Sequence, residues 1–370
     1  MSASQGGDAA PDGSELEAWV RLASIPGLSS TSQRKLLGAF GSPEAALQAT
    51  ASSVSGILGQ RATQALLGGP DSDLVARALT WLRVPGNRLL TLADNGYPQA
   101  LLNTPDPPPV LYAKGRLDLL SRPAFAIVGA RSATPGGVRD AEAFADALGN
   151  AGLTIVSGLA NGIDAAAHRG GLRTQGSSIA VVATGLDKVY PARNKQLAHA
   201  LAEHGLLLSE FPLGTPPLAA NFPRRNRVIS GLSKGVLVVE AALHSGSLIT
   251  ARQAVEQGRE VFAIPGSIHS PLSKGCHWLI KQGGKLVESA SDVLEELGMG
   301  ASHATPSPRP SSLSDTQTQL LDAMGFAPID MDTLCERTEL AIETISTLLL
   351  NLELEGHISR VPGGLFQRLM

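Results

Sequence analysis

The chain is poor in the residues that mark cross-links, metal sites and stacked cofactors. It has two cysteines, Cys276 and Cys335, among 370 residues, and no CxxC pair. A disulfide framework and a structural zinc site are thereby excluded, and a reducing cytosol fits. Cys276 precedes His277, but no other ligand stands at metal spacing. Aromatic residues make up only 4 %, which excludes long tracks of stacked bases. Phe222 and Tyr190 suit a core as well as a stacking role. No apolar run is long enough to span a membrane. Residues 1–13 are small and polar and read as a floppy leader, neither a signal nor a transit peptide. There is no GxxxxGK[ST], so P-loop hydrolysis is excluded. The first Gly-containing turn, Gly129-Ala130-Arg131-Ser132, is not GxGxxG, and the second strand ends in Ser157-Gly158 instead of a ribose-binding acid. No cofactor is expected.

Charge is scarce overall and unevenly placed. The formal net charge is -3, yet residues 123–288 hold 16 Lys/Arg against 11 Asp/Glu, and residues 314–370 hold 3 against 9. The middle can attract polyanions; the tail should not. Residues 14–82 read as short helices with a helix, Gly-turn, helix pattern around Ile25-Pro26-Gly27-Leu28, repeated weakly at Val54–Gly59. That pattern resembles a helix-hairpin-helix, which offers backbone N–H groups to DNA phosphates. Five basic residues against five acids favour a packing or protein-contact module instead. Residues 83–122 carry Pro105, Pro107, Pro108 and Pro109 and read as a connector, with Val110–Tyr112 a strand that edges the next domain.

Residues 123–298 alternate apolar, β-branched runs with helical stretches. This predicts an α/β fold with a Rossmann-like, doubly wound, mostly parallel sheet. Residues 299–313 are rich in Ser, Pro and Ala and read as a linker. Residues 314–370 predict three helices and a hairpin, a winged-helix pattern.

In an open α/β sheet the turns at the carboxyl ends of strands share one edge, where ligands bind. Those turns hold Arg131, then Ser157, Gly158 and Asn161, then Asn194 and Lys195, then Phe222, Arg224, Arg225 and Arg227, then Gly246 and Ser247. Cations separated by backbone N–H groups can track a sugar-phosphate chain. The same arginines can instead cap helices or pair with Glu210 and Glu240. Asp164, Glu210 and Glu240 lie where a hydrolase would keep its carboxylates, but His168, His269 and His277 have no Ser or Cys partner in a nucleophile setting.

At these positions the sequence resembles the DNA-processing protein A (DprA/Smf) family. The likeness runs from about Tyr97 to Leu297 and rests on Gly129-Ala130-Arg131, on Ser157 to His168, on Thr184–Asp187 with Tyr190-Pro191, on Ser209–Pro212, on Asn221–Arg227 and on Gly246–Ala251. The resemblance implies a sterile-alpha-motif-like N-terminal domain, an extended Rossmann domain and a winged-helix tail. It implies a non-catalytic cytosolic protein that binds single-stranded DNA, protects it during natural transformation and helps load RecA recombinase. It places Arg131, Lys195 and the Arg224–Arg227 cluster in the DNA pocket. It implies a homodimer through the late Rossmann region, here His277, Ile280 and Leu286. Family members often have Ser before the first-turn Arg and Lys after it; Ala130 and Ser132 stand here, one cation fewer. Duplex contact by either flanking domain stays open, and the acidic tail fits a protein-contact or autoinhibitory role. The rival readings are a nucleotide or phosphoribosyl hydrolase using Glu240 or Asp164, and a scaffold whose basic pocket meets an acidic partner.

Overall fold

The structure, a computed structural model, describes residues 13–300 and 313–369. The leader at 1–13 and the linker at 299–313 lie almost wholly outside them. Nine strands form one sheet: β1 (Asn87–Thr91), β2 (Val110–Gly115), β3 (Ala124–Val128), β4 (Thr154–Ser157), β5 (Ser178–Val181), β6 (Leu206–Ser209), β7 (Gly235–Val238), β8 (Glu260–Ala263) and β9 (Lys285–Leu286). Their order is β1-β2-β6-β5-β4-β3-β7-β8-β9. From β6 to β9 every pairing is parallel; β1 and β2 add two antiparallel pairings at one end.

Alternation along the strands explains both covered faces. Phe125 and Ile127 of β3 point to one core, with Phe144, Leu148 and Ala166 of the helices Pro135–Asn150 and Ile163–Leu172. Ala126 and Val128 point to the other, with Val228, Ile229 and Ala251 of the helices Asn221–Leu232 and Gly246–Glu256. A strand buried on both faces reads as one apolar run, which is why β3 to β8 were legible. Each fully buried Phe or Leu contributes about 1.5–3 kcal/mol.

The chain adds β4, β5 and β6 on one side of β3, then crosses back to lay β7 on the other. Helix Asn221–Leu232 is the crossover. That reversal beside β3 is a topological switch point, and the turns after β3 and β7 part there. The arginine cluster therefore rides on the one helix that spans the sheet above the switch.

The segment 83–122 supplies β1 and β2, and Val110–Tyr112 lies inside the sheet, with β1 outside it. The prolines concealed this. They occupy the 18-residue loop between β1 and β2, and the pairing across it is non-local. The N-terminal region is helical, beginning with Gly13–Ala23 and Ser30–Phe40 and ending with Ser72–Leu82. It shares a core with the sheet: Trp19, Val20 and Ala78 pack with Leu89, Tyr112 and Leu213. The C-terminal region has helices Asp315–Met324, Met331–Thr338 and Ile342–Leu354 and a hairpin of β10 (Ile358–Val361) and β11 (Leu365–Arg368). Arg139 Nη1 donates to Gly356 O at 3.3 Å, and Gln367 lies against Gly136, so this region rests on the helix that follows β3. No helix among the described residues is long and apolar enough to cross a membrane.

Candidate nucleic-acid interface

Arg225 organises the site. It sits on the crossover helix with its guanidinium buried, and Nη1 donates to Gly158 O after β4 and to Val181 O at the end of β5. Burial and neighbouring Arg131 depress its pKa to about 10, while Asp164 opposes the shift. Asp164 lies in the first turn of helix Ile163–Leu172, and its Oδ2 accepts from Gly158 N at 3.1 Å and Ala160 N at 3.3 Å. Burial pushes its carboxyl up, and Arg225 pulls it back down. One buried cation and one buried anion thus hold the β4 turn from two sides. Asn194 completes the frame, its Nδ2 donating to Leu159 O at 2.9 Å and Ala160 O at 3.1 Å.

The turn also bends sharply. Leu159 has φ 58°, and its N–H donates to His168 Nε2 at 3.2 Å. Nε2 is therefore the bare nitrogen, and Nδ1 carries the proton toward Ser178 Oγ at 2.7 Å. Burial drives the His168 pKa down to about 3, with Arg225 and Arg169 adding to it. His168 is a fixed neutral acceptor and does not face solvent. Between about pH 6.5 and pH 3 the unfolded chain binds a proton that the folded chain refuses, so stability falls as pH drops through that window. At pH 5 the loss relative to pH 8 is about 2 kcal/mol for this group. Urea unfolding of the protein and of His168→Gln at both pH values should show a smaller loss in the variant by that amount. Equal losses would mean that His168 is not held neutral.

Around this frame lies a cavity of about 80 Å³, lined by Arg131, Gly158, Asn161, Thr184, Tyr190 and Phe222 among others. Arg131 is exposed and stands 5.4 Å over the Phe222 ring. Phe222 meets Tyr190 edge-on at 6.0 Å. Arg224 is also exposed and stands 5.1 Å over Phe211. Cations laid on aromatic faces keep their N–H groups free for phosphate. Lys195 is exposed at the start of helix Lys195–His204, one residue past Asn194. Asn161 lines the cavity with its Oδ1 buried and unpaired.

Several expected contacts turn out to be supports. Ser157 is wholly buried, and its Oγ donates to Ile127 O at 2.6 Å, which ties β4 to β3. Asn194 and Arg225 hold loops, as described. Arg227 bonds Glu210 and the backbone of Asp106. Ser247 is buried at the start of its helix, 2.7 Å from Ser245 Oγ, and Gly246 alone of that pair is open to solvent. Ligand atoms cannot reach side chains already consumed this way. The sequence did not distinguish the inward arginine from the outward one because neighbours on a helix point about 100° apart. Ala183 and Thr184 line the cavity too; neither is among the expected contacts, although Thr184 opens the Thr184–Asp187 stretch that carries the family resemblance.

The carboxylates are engaged as well. Glu240 accepts from Thr134 N at 2.9 Å and Thr134 Oγ1 at 2.6 Å. It orders the turn after β3 and orients no arginine. Glu210 Oε2 takes Arg227, with Arg224 at 3.7 Å. Burial pushes the Glu210 carboxyl up, and the two guanidinium groups oppose that.

In the late Rossmann region, Leu286 on edge strand β9 is 50 % exposed and Trp278 is 37 % exposed. Ile280 packs in part against the sheet core, and His277 Nε2 lies 2.9 Å from Gly266 O.

Comparison with known proteins fits this architecture. The family model for DNA recombination-mediator protein A matches residues 88–298, from β1 to the last helix after β9. The chain belongs to that family. A DprA winged helix domain matches residues 304–364. Protein Smf of Escherichia coli K12 is 43 % identical over 358 residues, covering 95 % of both chains. DNA processing protein DprA of Streptococcus pneumoniae R6 is 50 % identical over 206 residues, 56 % of this chain and 73 % of its own length. The X-ray structure of the S. pneumoniae DprA has a TM-score of 0.67 at 40 % identity, covering 74 % of this chain and 95 % of that one. A Helicobacter pylori DNA processing protein A structure, described for its single-stranded DNA binding mode, has a TM-score of 0.52 at 31 % identity and covers 57 % of this chain and 95 % of its own. The DprA/Smf assignment covers the sheet, the cavity and the C-terminal winged helix together.

Proposed function

We propose that this protein binds single-stranded DNA in the cavity above the switch point. The observation that carries the reading is the pair of exposed guanidinium groups, Arg131 and Arg224, each laid on an aromatic face. Arg131, Arg224 and Lys195 meet phosphates, Phe222 and Tyr190 offer ring faces, and Asn161 and Gly158 approach the strand closely. Arg225, Asn194, Ser157 and Ser247 keep the turns in place. The protein protects the strand and helps load RecA recombinase onto it in the cytosol, during natural transformation and recombination. Two copies associate through the edge at β9, with Leu286 and Trp278 as the exposed apolar groups. The winged helix, resting on the helix after β3, restrains access to the turn that bears Arg131. The hydrolase reading loses ground because Asp164, Glu210 and Glu240 are each committed to amides, arginines or Thr134.

Fluorescence anisotropy of labelled oligo-dT over a salt series, with a duplex of equal length beside it, tests the reading. Tight, salt-sensitive binding that favours the single strand is expected. Arg224→Gln should weaken binding roughly tenfold and reduce the salt slope by about one, with an unchanged melting temperature. A slope that does not move would remove Arg224 from the phosphate path. Absence of binding at low salt would overturn the reading itself.

A further inference from the structure

The surroundings of the cavity differ in free positive charge from side to side. The winged helix rests on helix Pro135–Asn150, and residues 314–370 hold 3 Lys/Arg against 9 Asp/Glu. Beside Arg224 stands Glu210, its Oε2 3.7 Å from the guanidinium. The turn after β7, from Val239 to Ser247, has no Lys or Arg and includes Glu240. The loop between β5 and helix Lys195–His204 is different. Its Tyr190 and Pro191 line the cavity, and Lys188, Arg193 and Lys195 flank them. All three cations are exposed, and among the described residues none of them forms an ion pair. The loop's one acid, Asp187, accepts from Gly214 N at 2.7 Å.

The loop is a fixed ledge. Lys188 N donates to Gly185 O at 3.1 Å, and Thr184 Oγ1 donates to Lys188 O at 3.2 Å. At the other end Asn194 N donates to Pro191 O at 3.0 Å, and the Asn194 amide is tied to the β4 turn. Tyr190 is 45 % exposed between the two ends. Lys188 stands two residues from Tyr190, and Arg193 two from Pro191, so their Cα atoms lie within about 8 Å of the cavity wall. Cations on either side of an exposed ring are the chemistry of a single-strand track. A cation without a carboxylate partner gives up no ion pair when it takes a phosphate.

We propose that this ledge is a second subsite for single-stranded DNA, outside the cavity, on which Lys188 and Arg193 hold the phosphates next to those the cavity holds. The inference rests on the single-strand reading above and adds a path to it. The strand leaves the cavity over Tyr190 toward helix Lys195–His204, and Lys195 stands where cavity and ledge meet. A short oligonucleotide then fills the cavity alone, and a longer one covers both.

The test measures anisotropy of oligo-dT of about 5 and about 20 nucleotides over a salt series, with the full chain. The longer one should bind more tightly, with a salt slope steeper by about 1.4, from two phosphates at about 0.7 each. The double variant Lys188→Gln with Arg193→Gln should lose that extra slope and bind the longer oligonucleotide roughly tenfold more weakly at low salt. Its affinity for the shorter one should stay as it was. Lys234 and Lys281 are also exposed, and they precede β7 and β9 at the opposite edge of the sheet. Lys234→Gln with Lys281→Gln removes the same charge and should change neither affinity. Melting temperatures check that both variants fold. An unchanged slope for the longer oligonucleotide in the ledge variant overturns the subsite while leaving single-strand binding intact. An equal loss in the Lys234 and Lys281 variant reduces the effect to net charge and overturns it too. A loss as large for the short oligonucleotide as for the long one places both residues at the cavity and also overturns it. Failure of the unaltered protein to bind either oligonucleotide overturns the single-strand reading and the subsite with it.

Discussion

Replacing Arg225 with alanine is expected to cost about 3–5 kcal/mol of folding stability, the scale for breaking a buried charge pair. Its guanidinium is buried and bonds Gly158 O and Val181 O. Without it, two buried carbonyls lose their donor and Asp164 loses the cation that offsets its burial. The β4 turn is then free to move, so single-strand affinity should fall at least tenfold although Arg225 presents almost no surface. Arg225→Lys should not rescue either quantity, because one ammonium on a flexible stem does not reproduce a planar fork. Urea unfolding and anisotropy on the same preparations check both effects. Contrast with Arg224→Gln is informative: one residue away, binding should change and stability should not. A melting temperature unmoved in Arg225→Ala would refute its role as a strut.

The second large effect is expected at Gly162. This residue has φ 73° and ψ -123°, a conformation open essentially to glycine. A Cβ there would overlap the carbonyl oxygens of Ala130 and Arg131, both backbone atoms that cannot turn aside. Ile163 N also donates to Ala130 O at 3.1 Å, so the turns after β3 and β4 touch at this point. Gly162→Ala should destabilise the protein by about 3 kcal/mol from left-handed strain and overpacking together. It should also push Arg131 away from Phe222 and weaken DNA binding. A crystal structure or the amide shifts of Ala130 and Arg131 would show the displacement. Wild-type stability and affinity in the variant would mean that the two turns are not in close contact. Gly158 is tight for a related reason: a Cβ there would lie 2.5 Å from Arg225 Nη1.

These two residues show what the sequence could convey. Parallel strands buried on both faces are continuous apolar runs, so the sheet from β3 to β8 was visible. The helix that carries the arginines begins at Asn221, with Pro223 in its first turn, where proline is tolerated. β1 was hidden because Asn87-Arg88-Leu89-Leu90-Thr91 mixes polar and apolar residues, and its partner lies beyond a loop of prolines. The cationic row was visible as composition. Its division into ligands and struts was not, since Arg224, Arg225 and Arg227 differ only in the direction each points and in which carbonyl or carboxylate waits there. Ser157 and Asn194 present the same ambiguity. A polar side chain beside a Gly turn bonds either a ligand or a neighbouring strand, and only the third dimension decides.

The seam formed by β1 and β2 has a mechanical meaning. The N-terminal helices are not hung from the sheet by a tether. They are stitched to it by two antiparallel pairings and a shared core, and Arg34 is tied to Pro107 O and Asp106 besides. Pulling the N-terminal helices away would therefore open that core and break the Arg34 contacts, so the joint resists separation through packing and not through a linker.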